Sequence, residues 1–463
     1  MSVSSDFSQK NVLILGAGVT GIACARSLLS RGAHVTVTDD SQLAPEEFTF
    51  LSTSAIQIAD FDFILVSPGW KESHRLISAA RAANKRIINE IDLAWSIKLE
   101  KWPQQKWLAL TGTNGKTTTV EMAAAAIRAG GLNAIACGNV GKTVIECVEG
   151  SEPFDVLVLE LSSFQLHWLE KAEFVASAIL NIADDHTDWH GDFDAYARAK
   201  VSILDRAMTA ILNGGDGEVV SRTTHWNGRK VFYSLDTPGP GELGVVEELL
   251  VDRAFVPDPQ QAAMIAEVID IKPTVPHNVS NALAAAGLAR TVGTPYEAIR
   301  NALSEFKLGR HRIEVVAEKN GITWIDDSKA TNPHAAAASV LSALSVIWIA
   351  GGLAKGADVG ALVARAHPRI KAALLIGTDR ELIAQAFKEH APQIPIVLMD
   401  PPADHLRGGE SNSFMESLVV EAASRAETGD TVLLAPACAS MDQFVSYADR
   451  GDRFASAVRK LLG

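Results

Sequence analysis

Cysteine is scarce in this chain. Its four residues, Cys24, Cys137, Cys147 and Cys438, are scattered with no C-x-x-C pair, so neither a disulfide framework nor a cysteine zinc site is expected, and a reducing compartment fits. Basic charge is not in excess either: 42 Lys and Arg against 55 Asp and Glu leave a net charge of −13. A surface of that sign repels phosphate backbones, which argues against a nucleic-acid partner but leaves room for local basic pockets that hold small anions. No apolar run approaches the ~20 residues that span a bilayer. The opening residues, MSVSSDFSQK, are polar and lack the charged-then-apolar order of an export signal, so a cytoplasmic protein is expected. Tandem repeats and low-complexity tracts are missing as well.

What is present is a long α/β rhythm. With 463 residues, 47% of them hydrophobic, the chain exceeds one core and is expected to form about three domains. Residues 106–120, KWLALTGTNGKTTTV, are an apolar strand running into a glycine-bearing turn and then a helix. Such a turn aims backbone N–H groups and a helix N-terminus at one point, where they bind phosphate oxygens; Lys116 would reach the terminal phosphates and the Thr117 hydroxyl would ligate Mg2+. The strict phosphate-loop pattern wants glycine at position 110, where this chain has Leu110, so only its second half from Gly112 is satisfied. A helix N-terminus with an exposed lysine would give the same letters.

Three further stretches frame this one. Gly16, Gly18 and Gly21 satisfy G-x-G-x-x-G between a strand at 11–15 and a helix from 22, and a second strand ends at Asp39 and Asp40 about twenty residues on. A nicotinamide or flavin cofactor, a diphosphate-bearing substrate and a purely structural turn all fit that pattern. A third strand runs into Ser67, Pro68 and Gly69, at the strand edge where ligands bind in parallel sheets. Past a boundary near Trp102, the strand at 155–159 ends on Glu160, followed by Ser162; a carboxylate there, across from a phosphate turn, can partner Mg2+ or cap a helix. Asn139, in a Gly-Asn-Val-Gly turn, is either a turn residue or a polar hook. The segment at 182–200 gathers Asp184, Asp185, His186, Asp188 and His190 before a helix carrying Lys200, which by itself reads as a solvated lysine.

From 202 to 271 the signal thins, and 247–250 reads as a short surface segment. Residues 277–288 read as a capped amphipathic helix with Asn278 and Asn281 on one face. A last domain begins near Leu308. In it a hairpin turning at Asn320-Gly321 delivers Asp326, Asp327, Ser328 and Lys329 into a loop, and later strands end in Gly351-Gly352 with Lys355 and in APACASMDQF. Cys438, in that last loop, reads as an ordinary small residue.

Taken together, a diphosphate turn, a phosphate loop and a third loop-bearing α/β domain resemble the Mur ligase family of bacterial cell-wall synthesis over nearly the whole chain. GTNGKTTT from Gly112 is similar to the family's phosphate loop, which accounts for Leu110. GAGVTG from Gly16, ELSSFQL from Glu160, DSKATN from Asp327, GGLAKGAD from Gly351 and PACASMDQF from Pro436 are similar to the members that add D-glutamate to UDP-N-acetylmuramoyl-L-alanine. The resemblance implies an α/β fold of three domains: a Rossmann-like UDP-substrate domain (1–102), a central P-loop ATPase-type domain (103–307) and a Rossmann-like C-terminal amino-acid domain (308–463). It implies ATP and Mg2+, an acyl phosphate as intermediate, and a monomer.

By position, the resemblance gives Gly112, Thr113, Asn114, Gly115, Lys116, Thr117, Thr118, Asn278, Asn281, Arg312 and Asp327 to ATP. Thr117, Glu160, His186 and Lys200 go to the metal, Lys200 as a carbamate. Gly18, Val19, Thr20, Asp39, Asp40, Ser67, Pro68, Gly69, Asn139 and Ser162 go to the UDP substrate. Lys329, Thr331, Lys355, Ser440 and Tyr447 go to D-glutamate. Catalytic roles fall to Lys116, Asn139, Glu160, His186, Lys200 and Lys355. Ser41 lacks the basic side chain often found there in the family, Trp70 is bulkier than usual, and Tyr447 and Ala435 are mild departures. Rival readings are a nicotinamide-dependent dehydrogenase, an ATP-gated binding module, and a Mur-type or folylpolyglutamate-type ligase for another amino acid.

Overall fold

The computed structural model describes residues 7–258, 260–400 and 413–463; residues 1–6, part of the polar opening stretch, lie outside them. Apolar runs bounded by glycine and polar turns become strands of two to seven residues in three sheets. The first sheet holds β1 (Asn11–Leu15), β2 (His34–Thr38), β3 (Thr49–Phe50), β4 (Phe63–Val66) and β5 (Arg86–Ile88) in the order β3-β2-β1-β4-β5, all parallel. Sequence order reverses at β1, which has β2 on one side and β4 on the other, and that switch opens a crevice at the carboxyl ends of β1 and β4.

The second sheet has nine strands: β6 (Lys106–Thr111), β7 (Ala134–Gly138), β8 (Val156–Glu160), β9 (Phe174–Ile179), β10 (Ala207–Asn213), β11 (Arg229–Tyr233), β12 (Leu243–Val246), β13 (Leu249–Asp252) and β14 (Ala263–Glu267). Their order is β14-β13-β12-β11-β10-β9-β6-β8-β7, parallel apart from the antiparallel β12-β13-β14 edge. Strands β10 to β14 fill the stretch where the sequence signal thinned. The expected surface segment is in fact the turn and second strand of a β12/β13 hairpin, whose turn residue Glu247 has φ 53° in place of the glycine or asparagine that would have announced it.

The third sheet runs β15 (Glu314–Lys319), β16 (Ile322–Asp326), β20 (Thr431–Leu434), β17 (Val346–Gly351), β18 (Ile370–Ile376), β19 (Ile396–Leu398), parallel except for the β15/β16 hairpin. Asn320 and Gly321 both have positive φ at that hairpin's turn, as its sequence predicts.

The chain forms two compact units. One contains the first two sheets and ends at Phe306; the other contains the third sheet and the short segment Ala183–Asp188. In the first unit a single core joins both sheets: Val12, Ile14 and Val37 share it with Trp107, Leu157 and Phe174. The helix Glu90–Lys101 lies in that core and is buried on most of its surface. Its Asp92 carboxylate accepts from the backbone N–H groups of Glu170, Lys171 and Ala172 at 2.8–3.0 Å, so one side chain ties the helix to a loop of the second sheet. The helix Pro276–Thr291 departs from expectation. It begins on Pro276 behind Val275 with no side-chain cap, and it is buried on nearly every face, as an alanine-rich helix inside the second sheet's core can be.

Candidate active site

β6 ends in the turn Gly112–Gly115, and the helix Lys116–Ala129 begins directly after it. Gly115 sits at φ +81°, and a Cβ there would lie 2.4 Å from the Asn281 side-chain oxygen, so both backbone and space demand glycine. Asn281 is thus packed on the turn. Lys116 folds over the turn and donates to the carbonyls of Gly112 (2.8 Å) and Thr113 (2.9 Å). Lys200 reaches the same Gly112 carbonyl at 2.7 Å; it is 2% exposed and lies over the Tyr196 ring. Both lysine nitrogens thus meet at one carbonyl of the phosphate turn. Lys200 is therefore not the solvated lysine that its sequence context describes.

Two residues of the turn escaped the sequence reading. Asn181 accepts from the Asn114 N–H (2.8 Å) and donates to the Asn114 carbonyl (3.1 Å), clamping the turn from the end of β9. The Tyr196 hydroxyl lies 3.0 Å from that of Thr113. An asparagine just past a buried strand was the available signal for the first; nothing local marks the second. The amide of Asn278 donates to the carbonyls of Lys272 and Pro273, both at 3.1 Å.

β8 pairs with β6 so that Glu160 stands beside Leu110, at the mouth of the turn. Asn139 wraps it, its N–H donating to the Glu160 carbonyl (2.9 Å) and its amide to Oε1 (3.0 Å). Gly138, φ +101°, permits that approach, since a Cβ would meet the Glu160 carbonyl at 2.6 Å. Oε2 is buried and has no hydrogen-bond partner. A carboxylate oxygen left so is costly unless a cation completes it, and the donor suits a hard divalent ion such as Mg2+. The residues present thus fit the metal that the family implies. Ser162 caps the helix Ser163–His167 in a reciprocal capping box with Gln165.

In the first sheet, a Cβ on Gly16 would meet Ser67 Oγ at 2.5 Å, so the glycine turn and the Ser67-Pro68-Gly69 loop close on each other across the switch crevice. The Ser67 hydroxyl is buried and unpartnered there. Asp39 is a tether of the turn: burial raises its pKa, but hydrogen bonds from the N–H groups of Ala17, Ser41 and Gln42 outweigh that and hold it below the usual carboxylate range. Ser41 thus serves the turn through its backbone. Asp40 pairs with His74 at 3.3 Å. Trp189, in the polar segment, donates from its indole to the Gly69 carbonyl at 3.0 Å.

In the second unit, one cleft is lined by His186, Thr331, Asn332, Lys355, Gly356 and Ala439, among others. His186 and Lys355 both have positive φ, 53° and 51°, which aims side chains from tight loops. Lys329 and Tyr447 lie outside that lining and pair with each other, Nζ to hydroxyl at 2.9 Å; Ser440 is buried beside the same loop. Asp327 is buried, accepts from the Ile313 N–H and the Ser339 hydroxyl, and is pushed up to about 7 by burial despite those bonds and the nearby Arg312. Cys438 is buried, its thiol pushed up to about 12 chiefly by burial, so it is unreactive. No helix among the described residues is long and apolar enough to cross a membrane.

Three family models match the chain: the Mur ligase MurD-like N-terminal domain at 10–89, the Mur ligase middle domain at 110–289, and the Mur ligase glutamate ligase domain at 311–438. The chain is 44% identical to the UDP-N-acetylmuramoylalanine--D-glutamate ligase of Streptomyces coelicolor, covering 99% of each, and 45% identical to that of Thermobifida fusca, covering 98% and 99%. Among solved structures it is similar to a pseudomurein peptide ligase type C from Methanothermus fervidus (TM-score 0.60, 18% identity, 98% of this chain and 100% of that one) and to the UDP-N-acetylmuramate-alanine ligase of Thermotoga maritima (TM-score 0.57, 17% identity, 98% and 100%). With a parallel sheet carrying a diphosphate-type turn, a second carrying a phosphate turn beside an unpartnered carboxylate, and a third ending in a loop-lined cleft, the chain belongs to the Mur ligase family of ATP-dependent, amide-forming ligases.

Proposed function

We propose that this protein joins D-glutamate to UDP-N-acetylmuramoyl-L-alanine, consuming ATP, in peptidoglycan precursor synthesis. The observation that carries this reading is the 44% identity, over 99% of both chains, to a relative named for that reaction. The alanyl carboxylate oxygen attacks the γ-phosphorus of ATP and ADP leaves, giving an acyl phosphate. The D-glutamate nitrogen, after losing a proton, attacks the acyl carbon; phosphate departs with the former carboxylate oxygen, and an amide remains. Activation is required because a carboxylate is a poor electrophile with a very poor leaving group. Bringing three anions together calls for cations and oriented dipoles more than for a strong base.

The residues take the following parts. Gly112 to Thr118 cradle the phosphates through backbone N–H groups, with Lys116 on the β- and γ-phosphates and Asn278, Asn281, Arg312 and Asp327 on the nucleoside side. Thr117, Glu160 and His186 hold Mg2+, which when bound neutralises phosphate and carboxylate charge. Lys200 joins that set as a carbamate: a neutral amine that takes up CO2 loses a proton and becomes an anionic ligand. The buried, turn-facing place of Lys200 supports this. Asn139 and Ser162 orient the acyl group. The Gly16–Gly21 turn with the Ser67 loop takes the uridine diphosphate, and Thr331, Lys355 and Ser440, with Lys329 and Tyr447 behind them, take D-glutamate. Residues 1–102, 103–307 and 308–463 serve the UDP substrate, ATP and the amino acid in turn. The reaction belongs to the cytoplasm, where ATP and nucleotide sugars are made, and a monomer suffices.

The test is product identification by mass spectrometry after incubation with ATP, Mg2+ and UDP-N-acetylmuramoyl-L-alanine against D-Glu, L-Glu, meso-diaminopimelate and L-Ala separately. The reading expects one new amide, with D-Glu. A product only with another amino acid would move the protein to a different ligase, and nucleotide binding without any amide would make it a binding module.

A further inference from the structure

The helix Tyr447–Leu462 ends the chain, and its fourth residue, Arg450, is fully buried. Its guanidinium donates from Nε to Ser328 Oγ (2.9 Å), from Nη2 to the Ser328 carbonyl (3.0 Å), from both terminal nitrogens to the Cys438 carbonyl (3.3 Å), and from Nη1 to the Gly351 carbonyl (3.4 Å). These acceptors have a common origin. Ser328 follows β16, Gly351 ends β17 and Cys438 follows β20, so one side chain holds the carboxyl ends of three adjacent strands.

Each of the same three loops supplies a wall of the cleft: Thr331 after β16, Lys355 after β17 and Ala439 after β20. The helix start is pressed into place as well, since a Cβ on the neighbouring Gly451 would meet His311 Nδ1 at 2.2 Å and Asp326 Oδ2 at 2.6 Å. All of the acceptors of Arg450 are neutral; among the described residues it forms no direct ion pair, while the nearby carboxylates of Asp326 and Asp442 favour its charge. A rigid fork of five donors is the side chain that can satisfy carbonyls from three strands at once.

We propose that Arg450 is a positioning residue for the amino-acid site. It fixes the three cleft-forming loops in register through their carbonyls, so that the side chains they carry meet the amino acid in one arrangement. This rests on the assignment of the cleft to D-glutamate given above. No group of Arg450 touches substrate; it acts through the loops.

The experiment uses the full chain as wild type, Arg450→Gln and Arg450→Lys. Lysine keeps the charge but offers three rotatable donors in place of a five-donor fork. Hydrogen exchange, read without any ligand, is expected to quicken in residues 327–332, 351–357 and 436–442 while β18 stays as protected as in wild type, more so in the Gln than in the Lys variant. In steady state the KM for D-glutamate should rise on the order of tenfold or more in Arg450→Gln, the scale of one lost charge-assisted hydrogen bond, with Lys recovering part of it and the KM for ATP within about twofold of wild type. Unchanged loop exchange with an unchanged D-glutamate KM would overturn the proposal. So would exchange rising equally across the whole third sheet in the Lys variant with both KM values moving together, which is the behaviour of an ordinary core residue. Should Arg450→Gln fail to fold, the Lys variant decides. A wild-type enzyme that turns over no D-glutamate would refute the functional reading, while loop-confined exchange would still uphold the bracket and loop-independent exchange would still reject it.

Discussion

Glu90 offers a stability test with a defined sign. It opens the helix Glu90–Lys101 in the core that joins the first two sheets, is 2% exposed, and accepts at Oε1 from the Ile145 N–H at 3.1 Å while Oε2 has no partner. Burial raises its pKa from 4.5 to about 7 against the lowering effect of the Ile145 and Val144 N–H groups, with Glu146 adding repulsion; the thiols of Cys24 and Cys137, which burial keeps protonated, and that of Cys147 also face it. A carboxyl group whose pKa is higher folded than unfolded binds more protons in the folded state, so it costs stability as pH climbs from its unfolded pKa through its folded one. The window runs from 4.5 to about 7. At about 1.4 kcal/mol per unit, the loss across it is about 3 kcal/mol, or roughly 5 °C in Tm for a unit of this size. Glu90→Gln keeps an acceptor for Ile145 and removes the ionisation. Thermal melts from pH 4.5 to 8 should show the variant matching wild type at the acid end and exceeding it by roughly 5 °C at pH 8. Parallel curves, or a gap that widens toward acid, would refute the assignment of an unpaired buried carboxyl.

Other perturbations read the candidate active site. Glu160→Gln should lose about two to three orders of magnitude in kcat, as expected for removing an electrostatic group at the reaction centre, and shift the Mg2+ dependence to higher concentration. Its melting temperature without Mg2+ should equal or exceed that of wild type, because an unpartnered buried carboxylate is gone; a fall of several degrees would mean Glu160 is structural. Lys200→Ala should abolish turnover, with partial rescue by acetate or formate but not by bicarbonate, and a mutant at wild-type rate would refute the carbamate. Gly115→Ala must place a side chain at positive φ, about 1–2 kcal/mol by itself, against Asn281; nucleotide affinity measured by calorimetry should fall, and an unchanged affinity would contradict a rigid phosphate turn.

Where function rests on local backbone chemistry, it could be read in letters. Gly115, Gly16, Gly21 and the Asn320-Gly321 pair each answer a turn or a close approach within a few residues, and the strand-end positions of Glu160 and Asp327 follow from apolar runs that stop. Features built by distant partners left no such mark. Asp92 meets the N–H groups of residues 170–172, Arg450 gathers carbonyls from three strands, and Asn181 clamps a turn 67 residues away. β10 to β14 were hidden for a different reason. β11 to β14 are only four or five residues long, and the β12/β13 hairpin turns on Glu247, not on the glycine or asparagine that would announce it. The helix at 276 was legible as a helix but not in its burial, because an alanine-rich stretch with two asparagines looks amphipathic until the asparagines are found inside.

The proposed reaction turns on a carboxylate charged by ATP before an amine attacks it, and isotope transfer tests this directly. UDP-N-acetylmuramoyl-L-alanine labelled with oxygen-18 in its alanyl carboxylate, incubated with ATP, Mg2+ and D-glutamate, should yield phosphate carrying one labelled oxygen per amide formed, with no label in ADP. Phosphate released without the label, while amide accumulates, would contradict the acyl phosphate and with it the roles given to Lys116 and Glu160.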